Sequence, residues 1–225
     1  MVTTFKELSL DSAGDAHVLG RFWAAVTGCE YVEVGDEDNP GDVVGTEEGM
    51  GIAIGLVPEP KTVKHRVHLD VHAGSLDEVI ALGAATAPDQ DPDDAWTVML
   101  DPEGGEFCVF LRDEVPAYRT HELIVDAVDP ARIAAWWGEV FGAPVRNDGQ
   151  PWSWLTDVPG MPFDAFVFQP VPEPKTVKNR LHWDVYGDVD DLLARGATRL
   201  WELPRWTVLA DPEGNEFCVF APRQE

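Results

Sequence analysis

The chain contains the same sequence twice, and this repeat limits its fold more than any other feature. The segment VPEPKTVKHRVHLDV at 57–71 returns as VPEPKTVKNRLHWDV at 171–185, and DPEGGEFCVF at 101–110 returns as DPEGNEFCVF at 211–220. Similarity at a nearly fixed offset indicates repeated structural units. We therefore predict two domains, 1–115 and 116–225, which meet near Pro116.

Both copies show the same order of predicted elements. In the second copy HELIVDAV at 121–128 reads as a strand, after which Asp129 and Pro130 offer an N-cap and a first helical position. Apolar residues with helical spacing follow as far as Gly142, a residue typical of helix C-termini. Further strands, a short second helix and the closing strands complete the copy. The pattern predicts an α+β fold in which each copy is a pair of βαβββ units.

The repeated strand carries an unusual distribution of charge. Alternate side chains of a strand lie on opposite faces of its sheet. In KTVKHRVHLDV and the histidine that follows it, one face is mostly aliphatic, whereas the other consists of Lys64, Arg66, His68, Asp70 and His72. This ionisable face is either a solvated surface or the wall of a binding cleft.

The composition excludes several classes of partner. The 41 acidic residues outnumber the 16 Lys and Arg residues, giving a formal charge of -25, which repels nucleic acid and attracts small cations. Three cysteines form no disulfide framework. Neither a signal peptide nor a run of about 20 apolar residues is present. We expect a cytoplasmic protein without a membrane or nucleic-acid partner, either a monomer or a homodimer.

The paired βαβββ units, the RVHLDV strand and the closing DPEGNEF turn resemble those of the vicinal oxygen chelate superfamily. This superfamily includes glyoxalase I, bleomycin resistance proteins and extradiol dioxygenases, and the resemblance is strongest to its glyoxalase-like domains. It implies two tandem domains whose βαβββ units form a cupped, mostly antiparallel sheet with a ligand cavity on the concave face. A tandem chain can complete each cup within one copy or by pairing its two copies.

The resemblance also implies positions for a metal site. It places the histidine ligand at His68 and His182 and the first-strand ligand at Glu122 and Glu7. The closing ligand, a glutamate in metal-dependent members, is replaced by Cys108 and Cys218. Neighbouring carboxylates, Glu106 and Glu216, face the same side as these cysteines. One interpretation is a divalent Zn, Fe, Mn or Ni site in which His68 acts with Glu7 and Glu106, and His182 with Glu122 and Glu216. The other, which we favour because cysteine replaces the glutamate, is a salt-bridged face with no cofactor.

The remaining candidate site residues are those expected to contact a small organic ligand. Aromatic walls favour flat molecules, and the acidic chain favours cationic ones. The predicted ligand-binding residues are Lys64, Arg66, Asp70, Trp96, Glu106, Cys108, Trp152, Trp154, Lys178, Arg180, Trp206, Glu216 and Cys218.

Two function classes follow from these residues. The first is a binding protein, either a resistance-type sequestering protein or an enzyme of specialised metabolism without metal. In the enzyme case the predicted catalytic groups are His68 and His182, with His182 as a general base oriented by Asp184. The alternative is a metal-dependent lyase, isomerase or dioxygenase.

Overall fold

The structure, a computed structural model, describes residues 2–35, 39–88, 90–91 and 93–222. The first copy consists of β1 (Thr4–Ser12), α1 (Ala16–Thr27), β2 (Glu30–Glu33), β3 (Gly41–Val44), β4 (Ile52–Leu56), β5 (Val67–Ala73), α2 (Leu76–Ala81), β6 (Ala85–Thr86), β7 (Thr97–Leu100) and β8 (Glu106–Leu111). The second consists of β9 (Thr120–Ala127), α3 (Pro130–Phe141), β10 (Val145–Arg146), β11 (Ser153–Leu155), β12 (Ala165–Pro170), β13 (Leu181–Tyr186), α4 (Val189–Ala194), β14 (Thr198–Glu202), β15 (Trp206–Ala210) and β16 (Glu216–Phe220).

The strands form two 8-stranded sheets, and each sheet takes half of its strands from each copy. The first sheet has the order β14-β15-β16-β13-β1-β4-β3-β2, and the second has the order β10-β11-β12-β9-β5-β8-β7-β6. The central pairs, β1 with β13 and β5 with β9, are antiparallel and join the copies. The α+β, mostly antiparallel fold is confirmed, and of the two arrangements left open by the sequence the structure has the one in which the copies pair.

The long helix of the second copy begins and ends where the sequence predicts, and that of the first copy has the same caps. Asp15 and Asp129 cap α1 and α3 by accepting hydrogen bonds from backbone N–H groups of the first turn. Gly28 and Gly142 end these helices in the left-handed region, with φ of 77° and 64°, which glycine adopts without steric cost.

A buried tryptophan on each long helix connects it to the DPEG turn of its own copy. The indole Nε1 of Trp23 donates to Asp101 at 3.3 Å, and that of Trp137 donates to Asp211 at 3.2 Å. Each aspartate also accepts backbone N–H groups within its own turn. The turns therefore fix the start of β8 and β16, which carry the candidate cysteine and glutamate residues.

Two further observations concern the membrane and redox predictions. No helix in the described part of the chain is long and apolar enough to cross a membrane. Cys29, Cys108 and Cys218 are free thiols, and the last two are buried.

Candidate functional site

A cavity of about 400 Å³ lies on one face of the second sheet. We call it the second cup. Residues of β5, β7, β8, β9 and β12 line it, together with residues that precede β5, β7 and β11. The lining residues are Lys64, His68, Asp70, Trp96, Val98, Glu106, Phe107, Cys108, Phe110, Glu122, Ile124, Trp152, Val167 and Gln169.

Aromatic and aliphatic side chains form the walls of the second cup. Trp96 packs on Phe110 with ring centroids 5.8 Å apart, and Trp152 lies on the cavity from the other copy. Trp96 and Trp152 are each 39% exposed, so both present ring surface that a ligand can cover. Trp154, also predicted to bind ligand, packs instead against Ile124 and its neighbours on β12.

Ionisable side chains from three adjacent strands meet at the floor of the second cup. His68 and Asp70 project from β5, Cys108 from β8 and Glu122 from β9. In the strand register, Asp70 lies opposite both Cys108 and Glu122. The distance from His68 Nε2 to Asp70 Oδ1 is 3.6 Å. One donor atom each from His68, Asp70 and Cys108 lies within 4.8 Å of the others.

Burial shifts the protonation of these groups toward their neutral forms. It raises the pKa of Asp70 to about 8, and the nearby Glu122 carboxylate adds to the effect. It lowers the pKa of His68 to about 4. Burial also raises the pKa of the Cys108 thiol, and a charge on Asp70 adds a smaller increase. Near neutral pH the floor is therefore a protonated carboxyl, a neutral imidazole and a thiol.

The equivalent face of the first sheet, which we call the first cup, carries an internal cation. His182, Asp184 and Cys218 form a matching buried group. Lys6 pairs with Glu7, lies 3.6 Å from Asp184 Oδ2, and is 4.3 Å from the ring centroid of Phe220. Burial raises the pKa of Asp184, and His182 and Lys6 oppose this shift.

Other contacts in the first cup correspond to those in the second. Trp206 stacks on Phe220 at 5.5 Å, as Trp96 does on Phe110. Burial lowers the pKa of His182, against the nearby charges of Asp11 and Asp184. His182 and Asp184 are thus brought together as expected, and a role for them in proton transfer stays a prediction.

The predicted grouping of Glu7 and Glu122 is wrong. Glu7 pairs in register with Asp184, and Glu122 with Asp70. Glu7 therefore belongs with His182, and Glu122 with His68. The reason is that each sheet joins the first unit of one copy to the second unit of the other, so the first-strand residue always meets the histidine of the opposite copy.

Glu106 and Glu216 do more than lie on the same side as the cysteines. Each accepts hydrogen bonds from the repeated loop of its own copy. Glu106 accepts from Lys61 Nζ and from the backbone N–H of His65, both at 2.9 Å. Glu216 accepts from Lys175 Nζ at 2.6 Å and from the backbone N–H of Asn179 at 3.1 Å. Both oxygens of each carboxylate are engaged, which argues against either residue as a metal ligand.

The two arginines of the repeated segments, both predicted to bind ligand, do not line the second cup. Arg66 donates to the carbonyl oxygens of Glu173 and Asp126, at 2.8 and 2.9 Å. Arg180 donates to the carbonyl oxygens of Glu59 and Asp11. Each guanidinium thus connects the two copies.

The two lysines near these arginines are ion-paired. Lys64 pairs with Asp126 at 3.0 Å and touches the second cup, whereas Lys178 pairs with Asp11. Both lysines and both arginines line a separate cavity of about 340 Å³ between the repeated loops.

The floor of the second cup fits a divalent ion in its donor chemistry. Imidazole nitrogen, carboxylate oxygen and thiolate sulfur are the usual zinc ligands. His68 Nδ1 and Asp70 Oδ1 are buried and have no hydrogen-bond partner among the described residues, and buried polar atoms are seldom left unpaired. His182 Nδ1 and Asp184 Oδ1 of the first cup are equally without a partner within the described ranges. Lys6, which pairs with Glu7 and lies near Asp184, would however repel a cation there, so the second cup is the better candidate.

Several cavity residues were not predicted from the sequence. Ile124 could have been found by alternation, since it shares a face with Glu122 on β9. Val167 and Gln169 alternate in the same way on β12. Lys6 could have been found by aligning the two copies, because a lysine there corresponds to His121 in an otherwise matched strand.

Comparison with known proteins agrees with this architecture. The family model of the glyoxalase-like domain matches residues 7–110 and again 122–220. A comparison with curated protein sequences found no match. Among solved structures, glyoxalase I from Zea mays is 11% identical, with a TM-score of 0.70 over 97% of this chain and 92% of that one.

A provisionally assigned dioxygenase from Bacillus subtilis is 10% identical, with a TM-score of 0.64 over 98% of this chain and 86% of that one. At such identities the likeness shows the fold alone and leaves the activity open. The two matched segments span most of the sequence. The chain therefore belongs to the glyoxalase-like domain family, whose domain it contains in two tandem copies.

Proposed function

We propose that the protein binds a small organic molecule in the second cup, and that this molecule combines a flat apolar part with a cationic group. The observation that carries the proposal is the cavity of about 400 Å³, which is within the usual range for small-molecule sites. Its walls are aromatic and its floor is polar, a combination that gives affinity through the walls and orientation through the floor.

Charge supports a cationic group on the ligand. The side chain of Glu122 is 26% exposed, so its carboxylate is accessible from the cavity. The formal charge of -25 on the chain raises the local concentration of cations. Asp70, protonated near neutral pH, can donate a hydrogen bond to a ligand oxygen beside this carboxylate.

The protonation states favour sequestration over metal-free conversion. With its raised pKa, the Cys108 thiol is a poor nucleophile, because the thiolate is the reactive form. With a pKa of about 4, His68 is a weak base near pH 7. We therefore expect mass spectrometry to recover a bound ligand unchanged, and a stoichiometric chemical change would identify a specialised-metabolism enzyme instead.

Truncation of one cavity tryptophan is expected to weaken binding about two- to tenfold, since aromatic contacts contribute roughly 0.5–1.5 kcal/mol. The test is titration of a panel of cationic aromatic antibiotics into wild-type protein and Trp96→Ala, with tryptophan fluorescence as the screen and calorimetry for the dissociation constant. Trp206→Ala is the matched control, because Trp206 makes the same stack in the first cup. An equal loss in both variants, or no binding across a broad panel, contradicts the proposal.

A second candidate function is metal-dependent chemistry of the lyase, isomerase or dioxygenase type. One observation favours it: the unpartnered buried atoms of His68 and Asp70 beside Cys108. These three residues, with Glu122, would hold the ion. A divalent ion there would supply a Lewis acid that polarises substrate oxygens.

Elemental analysis of protein purified without chelator separates the two candidates. Near-stoichiometric zinc, iron, manganese or nickel that is lost in His68→Ala but kept in His182→Ala supports the second candidate. Less than about a tenth of an equivalent in wild-type protein that still binds the ligand supports sequestration without metal.

A further inference from the structure

Two histidines and an aspartate meet at one end of the second cup, outside the residues that line its cavity. His72 lies on β5, His121 on β9 and Asp164 immediately before β12. The imidazole rings of His72 and His121 are packed with centroids 4.4 Å apart. His121 Nδ1 lies 2.9 Å from Asp164 Oδ2, and one donor atom of each of the three residues lies within 4.8 Å of the others.

The backbone holds these three residues together. His121 stands at an irregularity in the pairing of β5 with β9, where Asp70 is opposite Glu122 and Val71 is opposite Thr120. The backbone N–H of His72 donates to Arg119, and that of Asp164 donates to the carbonyl oxygen of His121, at 2.8 and 3.0 Å. The positions of the side chains therefore follow from strand pairing and do not depend on one mobile loop.

An ordinary ion pair between His121 and Asp164 does not account for His72. The Nδ1 atom of His72 is buried and has no hydrogen-bond partner among the described residues. It lies beside a second imidazole, and contact between two imidazoles gives little stabilisation unless both bind a shared partner. A bound cation would use this nitrogen.

We propose that His72, His121 and Asp164 form a binding site for a divalent transition-metal ion, separate from the His68, Asp70 and Cys108 group. Two imidazoles and one carboxylate are a donor set that suits Zn²⁺, Ni²⁺ or Cu²⁺. Ligand atoms about 2.0–2.1 Å from a zinc ion lie about 3.3 Å apart in tetrahedral geometry. Small side-chain rotations bring the three donor atoms to that spacing.

Glu122 lies next to this site. Its Oε1 is 3.7 Å from His121 Nε2, which is longer than a hydrogen bond. A small movement of Glu122 toward Nε2–H would give the outer hydrogen bond that commonly fixes the tautomer of a metal-binding histidine. The Asp164 side chain is 74% exposed, so the ion can enter from solvent.

The site is specific to the second sheet. The repeat places Tyr186 and Lys6 of the first sheet at the positions of His72 and His121. A lysine ammonium repels a cation, and a phenol is a poor replacement for imidazole. The equivalent position of the first sheet therefore lacks this site. The site is not a structural feature that both sheets share through the repeat.

The test is calorimetric titration of Zn²⁺ into tag-free protein that has been treated with EDTA. We expect His72→Asn and His121→Asn each to weaken binding at the site at least tenfold, and His68→Ala to leave it intact. His17→Asn is the matched control, because His17 also pairs through its Nδ1, with Tyr31 at 2.8 Å. Circular dichroism and the unfolding midpoint show whether each variant is folded.

Cobalt absorption separates this site from the floor of the second cup. Co²⁺ bound by His72, His121 and Asp164 has no sulfur ligand and gives no thiolate charge-transfer band, whereas Co²⁺ bound at Cys108 gives one. A band-free cobalt spectrum that is lost in His121→Asn and kept in Cys108→Ser supports the proposal. Zinc binding whose affinity and stoichiometry are unchanged in both His72→Asn and His121→Asn, or that is wholly removed by His68→Ala, overturns the proposal, as does the absence of zinc binding.

Discussion

Replacing Glu216 with alanine is expected to lower the free energy of unfolding by about 3–5 kcal/mol, the usual effect of removing one partner of a buried ion pair. Glu216 is 5% exposed and accepts from Lys175 and from the backbone N–H of Asn179. Its removal leaves a buried ammonium and a buried N–H group unpaired. Urea denaturation followed by tryptophan fluorescence measures the change.

The equivalent glutamate of the other copy provides the control. The side chains of Glu106 and Lys61 are each 19% exposed, so water can replace part of the lost pairing, and Glu106→Ala is expected to cost about 1–2 kcal/mol. Glu216→Gln, which can still accept from Asn179, should lie between the two. Equal losses below about 1 kcal/mol in both alanine variants would show that the repeated loops do not depend on these carboxylates.

The stability of metal-free protein is expected to fall by about 2 kcal/mol between pH 6.5 and pH 8 through Asp70 alone. The folded state holds this carboxyl protonated up to a pKa of about 8, whereas the unfolded chain ionises near 3.8. Raising the pH therefore favours the unfolded state. Between about pH 4 and 6.5 His68 has the opposite effect on stability. Its pKa falls from 6.5 to about 4 on folding, so the unfolded chain binds more protons in this range and the free energy of unfolding rises with pH.

Asp70→Asn isolates this contribution, because the amide remains neutral at every pH. The variant should be more stable than wild type at pH 6.5, because unfolding of wild type releases the Asp70 proton, and this difference should grow by about 2 kcal/mol at pH 8, as measured by urea denaturation of EDTA-treated protein. Asp184→Asn is the comparison in the first cup: the raised pKa of Asp184 predicts a gain in the same direction, and the lost contact with Lys6 should make that gain smaller. A wild-type curve parallel to that of Asp70→Asn would contradict the raised pKa.

Much of the fold could be predicted from the sequence because its determinants are local. The Asp129 and Gly142 caps, the alternation along the repeated strand and the turn residues each act within a few positions. His68 and Asp70 could be placed on one face for the same reason. Their assignment to the second cup with Cys108 and Trp96 needed only the repeat and the resemblance.

The composition of each cup could not be predicted in this way, because it depends on which units pair. Glu7 and Glu122 lie far along the chain from the histidines that they join, and nothing local in the sequence selects between pairing within a copy and pairing between copies. The partners of Glu106 also depend on how a loop folds back over the sheet. The exclusion of Arg66 from the cup follows from carbonyl groups of the other copy, which no side-chain pattern reveals.

The sharing of strands between the copies has a consequence for evolution. In a symmetric dimer of single-copy subunits, every substitution appears in both cups at once. Within one fused polypeptide each cup can change alone, so a lysine could enter one cup while a histidine occupied the matching position of the other. Duplication and fusion thus let the two pockets differ: Lys6 partly neutralises the carboxylates of the first cup, whereas the second cup has His121 at the matching position.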